Sequence, residues 1–524
     1  MSVYTFPSFS RLLRILVACC AWSLLAACSL IRPPEQIAVP TPTSWSTATL
    51  PHQGQTAKLS EWWLRFRDPV LVRMINAAQE QSPSIAQARA QIFAVRVLHS
   101  QAIDVLLPRV NAQYSLSRSA TIPYGAPERI SAQMRSIGVQ AAWEPGLWGQ
   151  SFSYLAAVNA QRDSANAGWH EARVLVAANL AQQYFAYRLC LQHVQLSGAD
   201  RDSRQSSAAL SVRSADAGFA TAAAMALSSA AAAESAQRYT LQKSLCERQL
   251  KALVALTGIA EAELGELISR APPLLPAQEL SQLLYVQQVP AAVIAQRPDV
   301  YRAQRELIVA SHQVGIARTA LLPSLSFSGY LTKSHTVFGT GSRDANTWSV
   351  GPLVLNLPLL GRSGLYAGVD SARAAYEAAA KAYVASVRGA VRDVEQNLLS
   401  LAGMAERHDN AVVAHQAYLR SHQASERKYQ AGLASRSEVE EARRAQINAE
   451  NSLLASQEER INAWINLYLA LGGGFDPQQS RNDDEVLSAA SLPTMSEDAA
   501  SANSVNSSSS NAANRPADHS GTRP

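Results

Sequence analysis

The chain has 524 residues, of which 47% are hydrophobic and 17% are charged, and its formal net charge at pH 7 is +5. This charge is ordinary for the length, so it gives no reason to expect a nucleic-acid partner. Beyond Cys28 no apolar run approaches the roughly 18 residues that a membrane-spanning helix needs, so the mature chain contains no predicted transmembrane helix.

The N-terminus has the features of an export signal. A basic segment precedes an apolar run at 12–27 that is too short to span a membrane. The run ends in a Leu-Ala-Ala-Cys sequence at Cys28, which resembles the lipobox of bacterial lipoproteins and implies cleavage before Cys28 and an N-acyl diacylglycerol on it. Ser29 in place of aspartate is typical of delivery to the outer membrane. Residues 1–27 are therefore predicted to be a lipoprotein signal peptide, and 28–57 a lipid-anchored extended tether.

The rest of the chain repeats itself. The interval from Pro83 to Pro298 is the same, to within a single position, as the interval from Gly218 to Gly432. A constant offset over so long a stretch indicates an internal tandem duplication. The predicted divisions are repeat 1 at 58–272, repeat 2 at 273–475 and a disordered tail, rich in Asn, Ser and Ala, at 476–524.

Each repeat begins with helical spacing and continues with strands. The pattern at 58–107 is broken at Ser82-Pro83, which predicts two equatorial helices in repeat 1, and repeat 2 retains one of them at 298–322. Apolar and polar residues then alternate in two predicted β-hairpins, at 109–149 and 323–361. In the last strand the alternation changes phase at Gly351-Pro352, which predicts a β-bulge.

The four predicted strands are about 10 residues long, enough to cross a bilayer when tilted. A soluble two-sheet sandwich has the same alternation and is the alternative. In lipid, however, four strands cannot close a barrel, because every strand edge must be paired and the smallest bacterial barrels have eight strands. A membrane-spanning form of this chain is therefore predicted to be an oligomer.

A long helical hairpin follows each β-hairpin, at 150–258 and at 363–472. The outgoing helices, which end at glycine turns, are twice as long as the returning ones. The short equatorial helices are therefore expected to cover the uncovered half of each long helix.

Three histidines lie in the seam of the second long helix, at His408, His415 and His422. Seven residues are about 10.5 Å of helix, too far for two rings to share one metal ion, so no metal site is predicted. Their seam position motivates the hypothesis that the coil loosens when they become protonated near pH 6. No nucleotide-binding glycine motif of the GxxxxGK[ST] type and no catalytic cluster is present in the sequence, so the protein is predicted not to be an enzyme.

Several short segments, in this order and with the duplication and the lipobox, resemble the outer-membrane factor family, the TolC/OprM-like efflux lipoproteins. They are Trp62-Trp63, Phe66-Arg67-Asp68-Pro69, Gln296-Arg297-Pro298-Asp299-Val300, Ala317-Arg318, Leu322-Pro323-Ser324, Leu357-Pro358-Leu359, Lys428-Tyr429-Gln430-Ala431-Gly432 and Leu469-Ala470-Leu471-Gly472-Gly473-Gly474.

This resemblance implies an α+β membrane protein in which three chains share one 12-stranded outer-membrane β-barrel, four strands from each, continued by a long periplasmic α-helical barrel. The implied partners are a periplasmic adaptor, which is a membrane fusion protein, and an inner-membrane transporter of the resistance-nodulation-division class. The implied function is a passive exit duct for drugs or other small toxic compounds. A type I protein-secretion channel is the alternative, and a coiled-coil lipoprotein without a pore is a third.

The family closes its periplasmic tip with acidic and basic residues after the second helical turn. By this resemblance Glu441 and Arg444 align with the gate, while the departure of this chain from the family pattern leaves Glu438 or Glu440 as other carriers. An ordinary charged helix face is the alternative. The implied adaptor contacts are the two turns, Gly218, Phe219, Ala220, Thr221, Gly432, Leu433, Ala434 and Ser435.

Two cysteines are symmetric about the first turn. Cys190 precedes Gly218 by the same interval by which Cys246 follows it. An antiparallel hairpin folded at Gly218 brings them level, which predicts a disulfide in the oxidising periplasm. Two separately buried thiols are the alternative.

Overall fold

The computed structural model describes residues 32–39, 62–64, 66–121, 130–274, 294, 296–338 and 341–477. The predicted signal peptide, the lipidation site at Cys28 and nearly all of the predicted C-terminal tail lie outside these ranges. Within them, no helix has both the length and the apolar character that crossing a membrane requires.

The helices and strands follow the predicted order. Two helices separated at Ser82 precede the first β-hairpin, and each β-hairpin is followed by a long and a shorter helix. One short helix at 261–269 was not predicted, and the strands, at 13 to 16 residues, are longer than expected. The elements are α1 (Pro69–Gln81), α2 (Pro83–Asp104), β1 (Arg109–Thr121), β2 (Ile130–Trp143), α3 (Gln150–Asp216), α4 (Ala222–Thr257), α5 (Glu261–Ser269), α6 (Pro298–Thr319), β3 (Ser324–Phe338), β4 (Gly341–Asn356), α7 (Ser363–Gln430) and α8 (Arg436–Ala470).

The two β-hairpins join into one antiparallel sheet with the order β1-β2-β3-β4. The junction is the β2–β3 pair, in which Gly138 lies opposite Thr332. A Cβ atom at Gly138 would lie 2.6 Å from the carbonyl oxygen of Leu331, so only glycine fits there without a shift of the backbone. The strands at the two ends of this order, β1 and β4, each have a partner on one side only.

The bulge in β4 lies where it was predicted. Phe327 pairs with Leu353, whereas Gly329 pairs with Val350, so Gly351-Pro352 is accommodated opposite a single β3 residue. Gly351 has φ +110°, a backbone conformation that favours glycine. Because of the extra residue, the apolar side chains before and after the bulge lie on the same face of the sheet. The prediction of a β-bulge at Gly351-Pro352 is confirmed.

The helices form a wall whose order repeats that of the sheet. Neighbouring contacts run from α2 to α3, from α3 to α6 and from α6 to α7, while α4 packs on α3 and α8 packs on both α7 and α3. The long helices α3 and α7 have 67 and 68 residues, and their return helices α4 and α8 have 36 and 35. The prediction that the short helices cover the remaining half of each long helix is confirmed.

An aromatic core lies where the short helices meet the long ones. Trp62 is fully buried, and its ring centroid lies 5.2 Å from that of Trp464 and 5.0 Å from that of Tyr468. Phe66 packs on Phe185 with 4.6 Å between ring centroids. Burial of aromatic groups this large provides much of the stabilisation of a core, so the Trp-Trp and Phe-Arg-Asp-Pro segments connect α1 to α3 and α8.

Asp68, in the second of those segments, is buried, and both of its carboxylate oxygens accept hydrogen bonds. Its Oδ1 atom caps α1 by accepting hydrogen bonds from the backbone N–H groups of Val70 and Leu71, at 3.0 and 3.3 Å. Its Oδ2 atom accepts from the Tyr184 hydroxyl at 2.5 Å and from Arg188 at 3.2 Å. Burial and the hydrogen bond to Asp68 raise the pKa of Tyr184, so the hydroxyl stays protonated and donates.

Arg297, which precedes α6 in repeat 2, is also buried and makes several polar contacts. Its guanidinium donates to the carbonyl oxygen of Ala470 at 2.8 Å and to Asp299 at 2.7 Å. The turn after α8 lies directly against it, since a Cβ atom on Gly472 would approach the Arg297 Cα atom to 2.8 Å. Two separated segments of the family pattern therefore form one contact.

Candidate functional site

The two glycine turns lie at the end of the helices remote from the sheet. In the first, Gly218 has φ +79°, its N–H donates to Ala215, and the Phe219 N–H donates to the carbonyl oxygen of Ser214 at 2.7 Å. In the second, Gly432 has φ +74°, and the Leu433 N–H donates to Lys428 at 2.8 Å. Both are Schellman motifs, which end a helix sharply by satisfying its last carbonyl groups.

The return helices start immediately after these turns. Thr221 caps α4 by accepting a hydrogen bond from the Ala224 N–H at 3.2 Å, and Ser435 caps α8 by accepting from the Glu438 N–H at 3.2 Å. Between glycine and cap, each turn exposes one large apolar side chain. Phe219 is 89% exposed and Leu433 is 80% exposed.

The acidic residues after the second turn have separate surroundings. Glu438 is exposed in the first turn of α8, where a negative charge favours the helix dipole. Glu440 is only 1% exposed. It accepts a hydrogen bond from the Ser203 hydroxyl of α3 and one from Arg436 at 2.5 Å. Through the contact with Ser203, Glu440 holds α8 on α3.

Glu441 is exposed on a different side of α8 from Glu440, and Arg444 is half-buried one turn further on. Neither makes an ion pair within the part of the chain that the structure describes. The alignment of Glu441 and Arg444 with the gate stays a prediction. Their matching positions in repeat 1 are Leu227, which is exposed, and Ala230, so the two repeats differ at this level.

Three polar contacts connect the two helical hairpins along the α3–α8 interface. Gln182 donates to Asn466 at 2.8 Å, and the ring of His193 lies 2.8 Å from Asn451. The third is Ser203 with Glu440, which lies nearest the turns. Ser203 was not predicted from the sequence, because no local pattern around this serine indicates a partner 237 residues away.

The helical wall also contains an open cleft of about 890 Å³ between α2, α3 and α6. Its lining is mainly apolar, with amide and hydroxyl groups between the apolar side chains, and the ion pair between Arg302 and Glu171, at 2.7 Å, lies at its side. The polar lining residues include Gln87, Gln91, Gln161, Ser164 and Gln313. No sequence motif marks this cleft, since its residues come from four helices of both repeats, with Ala375 of α7 among them.

Cys190 on α3 and Cys246 on α4 are joined by a disulfide in the structure, with their Cα atoms 5.6 Å apart. Both residues are buried. By the constant offset of the repeats, Met404 and Arg460 occupy the matching positions on α7 and α8. The first hairpin is therefore covalently linked at this level, whereas the second is held by side-chain contacts.

Removing this disulfide is expected to destabilise the first hairpin. The bond closes a loop with a sequence separation of 56 residues, and releasing such a loop costs about 2–4 kcal/mol through the entropy of the unfolded chain. A lower thermal unfolding midpoint of the Cys190→Ser/Cys246→Ser variant than of the unaltered protein checks this. In the presence of a reductant, the variant and the unaltered protein should have the same unfolding midpoint. Two free thiols in the mass spectrum of unreduced protein would show that the bond does not form.

The three seam histidines do not come together. His408 is buried, and its Nδ1 atom lies 2.9 Å from Ser456 of α8. His415 lies 3.9 Å from Glu450, and His422 lies 2.7 Å from Gln446. Each ring thus contacts the return helix at its own level. No cluster of three candidate metal ligands occurs among the residues described.

His408 is expected to make the second hairpin less stable in acid. Its burial, and next the charge of Arg460, lower its pKa, which Asp409 raises again in part. The groups that act on the ring are the hydroxyl of Ser456 and the charges of Arg460 and Asp409. The pKa of His408 is lower in the folded than in the unfolded state, so its neutral form stabilises the fold. This contribution to the unfolding free energy is complete above about pH 6.5 and is lost as the pH falls through the folded-state pKa.

Thermal unfolding between pH 8 and 5 measures this effect. The midpoint of the unaltered protein should fall more on acidification than that of His408→Gln, which retains a hydrogen-bonding side chain but has no titrating group. Equal slopes for the two proteins would contradict the role of His408. The matched control is His99→Gln, because His99 lies on α2, outside the second hairpin.

The two faces of the sheet differ in chemistry. Register partners share a face and successive residues alternate, so one side, the apolar face, presents Val110, Tyr114, Leu116, Ile137, Val139, Leu325, Leu331, Trp348, Val350, Leu353 and Leu355. The other side, the polar face, presents small hydroxyl and amide groups, and Ser115 and Ser136 hydrogen-bond across it at 2.7 Å. On β3, Thr332, Ser334 and Thr336 are less exposed than Lys333, His335 and Val337. In this half of β3 the polar face is therefore the more enclosed one.

Known proteins are similar to this chain over most of its length. The family model described as outer membrane efflux protein matches residues 74–259 and 289–473, two segments whose starts are separated by the interval of the sequence repeat. The chain is 25% identical over 485 residues to the solvent efflux pump outer membrane protein SrpC of Pseudomonas putida, which covers 87% of this chain and 97% of that protein. It is 26% identical over 466 residues to the outer membrane protein OprJ of Pseudomonas aeruginosa, covering 87% and 95%.

Solved structures share the fold. The CmeC outer membrane channel of Campylobacter jejuni superposes with a TM-score of 0.72 at 21% identity, covering 87% of this chain and 98% of that one. The outer membrane protein VceC of Vibrio cholerae superposes with a TM-score of 0.67 at 21% identity, covering 80% and 99%.

Proposed function

This chain belongs to the outer membrane efflux protein family, and on that premise we propose that it is the passive outer-membrane exit duct of a tripartite efflux pump. The observation that carries the proposal is the direct connection of one sheet, apolar on one face and polar on the other, to two helices of 67 and 68 residues. Each of these helices is about 100 Å long. The relatives include components of pumps named for solvents, toluene and antibiotics, which supports small toxic molecules as the cargo.

The duct is a trimer in this proposal. Strands β1 and β4 have free edges, and unpaired backbone groups are costly in lipid. Pairing β1 of one chain with β4 of the next removes every edge, and three chains give the 12-stranded barrel that the family resemblance implies. The apolar face then contacts lipid, and the polar face lines the passage. The helices α2, α3, α6 and α7 of each chain continue the barrel as the periplasmic tunnel.

The N-terminus is anchored by an N-acyl diacylglycerol on Cys28 in this proposal. Arg32 contacts the α6 helix at Gly315, where a Cβ atom would lie 3.4 Å from the Arg32 Cβ. The Ser311 hydroxyl donates to the carbonyl oxygen of Pro33 at 2.6 Å. Gly315 is nine residues, roughly 13 Å, from the start of β3, and four extended residues reach about 14 Å. Cys28 can therefore reach the membrane surface.

The two turns are the proposed contacts of the periplasmic adaptor, a membrane fusion protein. Phe219 and Leu433 are its apolar anchors, and Gly218, Ala220, Thr221, Gly432, Ala434 and Ser435 form the rest of this surface. The channel contains no energy source of its own, so an inner-membrane transporter, of the resistance-nodulation-division class by resemblance, selects and drives the cargo.

Conductance in planar lipid bilayers tests the proposed function. The purified protein is expected to form channels, and a strain that lacks it should accumulate dyes and become sensitive to solvents or antibiotics. A protein without conductance would be the coiled-coil lipoprotein without a pore. Neighbouring genes for an adaptor and a proton-driven transporter would support efflux, whereas those for an ABC exporter would favour type I protein secretion.

Replacing Glu441 with alanine is expected to raise the single-channel conductance and lower the cation selectivity. Three Glu441 carboxylates would surround one three-fold axis, where they attract cations and form the links that an adaptor breaks. Entry of vancomycin into cells reports the same opening. The control is Glu459→Ala, since Glu459 is an exposed residue of α8 that pairs with Arg407 within the chain. Unchanged conductance and vancomycin entry in Glu441→Ala would contradict the gate.

A further inference from the structure

Three cations occupy the apolar face of the sheet in the half that is remote from the helices. Arg135 is the register partner of Leu116 and of His335, so it shares the face that presents Leu116. Arg118 is two residues beyond Leu116 on β1, and Lys333 is two residues before His335 on β3. Because residues two apart on a strand share a face, all three cationic side chains lie on this side.

The three cations form a diagonal line across β1, β2 and β3, which we call the cationic stripe. Arg118 and Arg135 are diagonal neighbours, as are Arg135 and Lys333. Diagonal neighbours on a sheet are about 7–8 Å apart or less, within joint reach of long side chains. All three residues are exposed, so their charged groups can converge on one anionic ligand.

The cationic stripe is not neutralised by the chain itself. Among the described residues of the strands, Asp344 is the single acidic side chain on this face, and it is engaged with the ring of His335 at 2.7 Å. Arg118, Arg135 and Lys333 make no ion pair or side-chain hydrogen bond within the described parts of the chain. Three adjacent like charges repel one another, which indicates that an anion accompanies them.

The height of the stripe matches the boundary of a membrane. Ten residues of β3 separate Leu325, where the apolar face begins, from His335, which is level with Arg135. At about 3.3 Å per residue and a tilt near 40°, these ten residues rise roughly 25 Å, the height of the apolar band of outer-membrane barrels. The helices lie on the periplasmic side, so the stripe lies at the level of the outer-leaflet headgroups.

We propose that Arg118, Arg135 and Lys333 form a binding site for the phosphate groups of an anionic lipid in the outer leaflet. The proposal rests on the proposed function, which gives the sheet its orientation in the outer membrane. Phosphate oxygens accept charge-assisted hydrogen bonds from guanidinium and ammonium groups. The acyl chains of such a lipid lie along Val139, Leu331 and Trp348, which are one register level below Lys333 on the same face, so the site binds the headgroup and the chains together.

Lipid binding to the purified full-length protein tests the site. Lipopolysaccharide is the anionic probe, phosphatidylcholine the zwitterionic one and inorganic phosphate the free ion, and bound lipid is measured by native mass spectrometry. Each cation near an anionic lipid surface contributes roughly a five-fold gain in affinity. The variant Arg118→Gln/Arg135→Gln/Lys333→Gln is therefore expected to bind lipopolysaccharide about 100-fold more weakly at low salt.

The matched control is Arg343→Gln. Arg343 is exposed near the same end of the sheet, but its register partner is Thr336, which places it on the polar face. It should bind lipopolysaccharide as the unaltered protein does. Equal binding by the triple variant, equal loss in Arg343→Gln, or binding of inorganic phosphate as tight as that of lipopolysaccharide would overturn the proposal. Conductance of the triple variant, measured in parallel, verifies assembly, and a protein that forms no channel at all would instead contradict the proposed function.

Discussion

The Glu440→Ala variant is expected to form a channel with a wider periplasmic end. Glu440 and Ser203 are each 1% exposed, and their hydrogen bond is the α3–α8 contact nearest the turns. Removing the carboxylate leaves the Ser203 hydroxyl buried without this partner, which costs about 1–3 kcal/mol. Since this contact holds the second hairpin against the first, its loss should raise the single-channel conductance and lower the stability of the tip.

A double-mutant cycle separates the contact from other effects of the substitution. Ser203→Ala and Glu440→Ala are compared with the variant that carries both changes, and the coupling energy should be at least about 0.5 kcal/mol. Glu459→Ala is the control, because Glu459 is exposed on the same helix and pairs with Arg407 of α7. Additive effects of the two substitutions on stability and on conductance would show that the contact does not close the tip.

The Asp68→Ala variant is expected to lose about 3–5 kcal/mol of unfolding free energy, the usual cost of removing one partner of a buried ion pair. The side chains of Asp68 and Arg188 are 6% and 11% exposed. The substitution removes the cap of α1 and leaves both Tyr184 and Arg188 without their acceptor. Because Arg188 also donates to the carbonyl oxygen of Pro272 at 2.7 Å, the segment after α5 should loosen as well.

Denaturant unfolding of the purified protein measures this loss. Asp68→Asn should recover part of it, because an asparagine oxygen still caps the helix but carries no charge for Arg188. Glu263→Ala is the control, since Glu263 pairs with Arg73 on the surface, where both side chains are more than half exposed, and such pairs contribute at most about 1 kcal/mol. A similar loss in Asp68→Ala and Glu263→Ala would contradict the importance of the buried contact.

The periodic elements were predictable because their patterns are long. Helices of 67 and 68 residues and strands of 13 to 16 residues repeat their spacing many times, and the bulge at Gly351-Pro352 appeared as one change of phase. The helix at 261–269 has only nine residues, too few for a period to stand out. The β2–β3 pairing joins hairpins that the whole first helical hairpin separates in the sequence, and no local pattern specifies a partner at that distance.

The tip was predictable only in part. Its two turns were, because glycine is needed at φ values near +75°. The choice among three nearby glutamates was not. Which of them is buried against α3 depends on how α3 packs on α8. The same tertiary contact makes Ser203 a hydrogen-bond partner of Glu440. The cationic stripe escaped notice for a similar reason, since its residues become neighbours only when the strands of both repeats are in register.

The two free edges of the sheet also bear on how the protein reaches its membrane. In a single chain β1 and β4 are the two edges of one open sheet and do not pair with each other. A monomer that enters lipid therefore has unpaired backbone N–H and C=O groups, which raise its free energy. Insertion should therefore depend steeply on the amount of protein synthesised, and the measured stability should depend on protomer concentration. Low expression should yield unassembled chains that are degraded, not a smaller number of partly open pores.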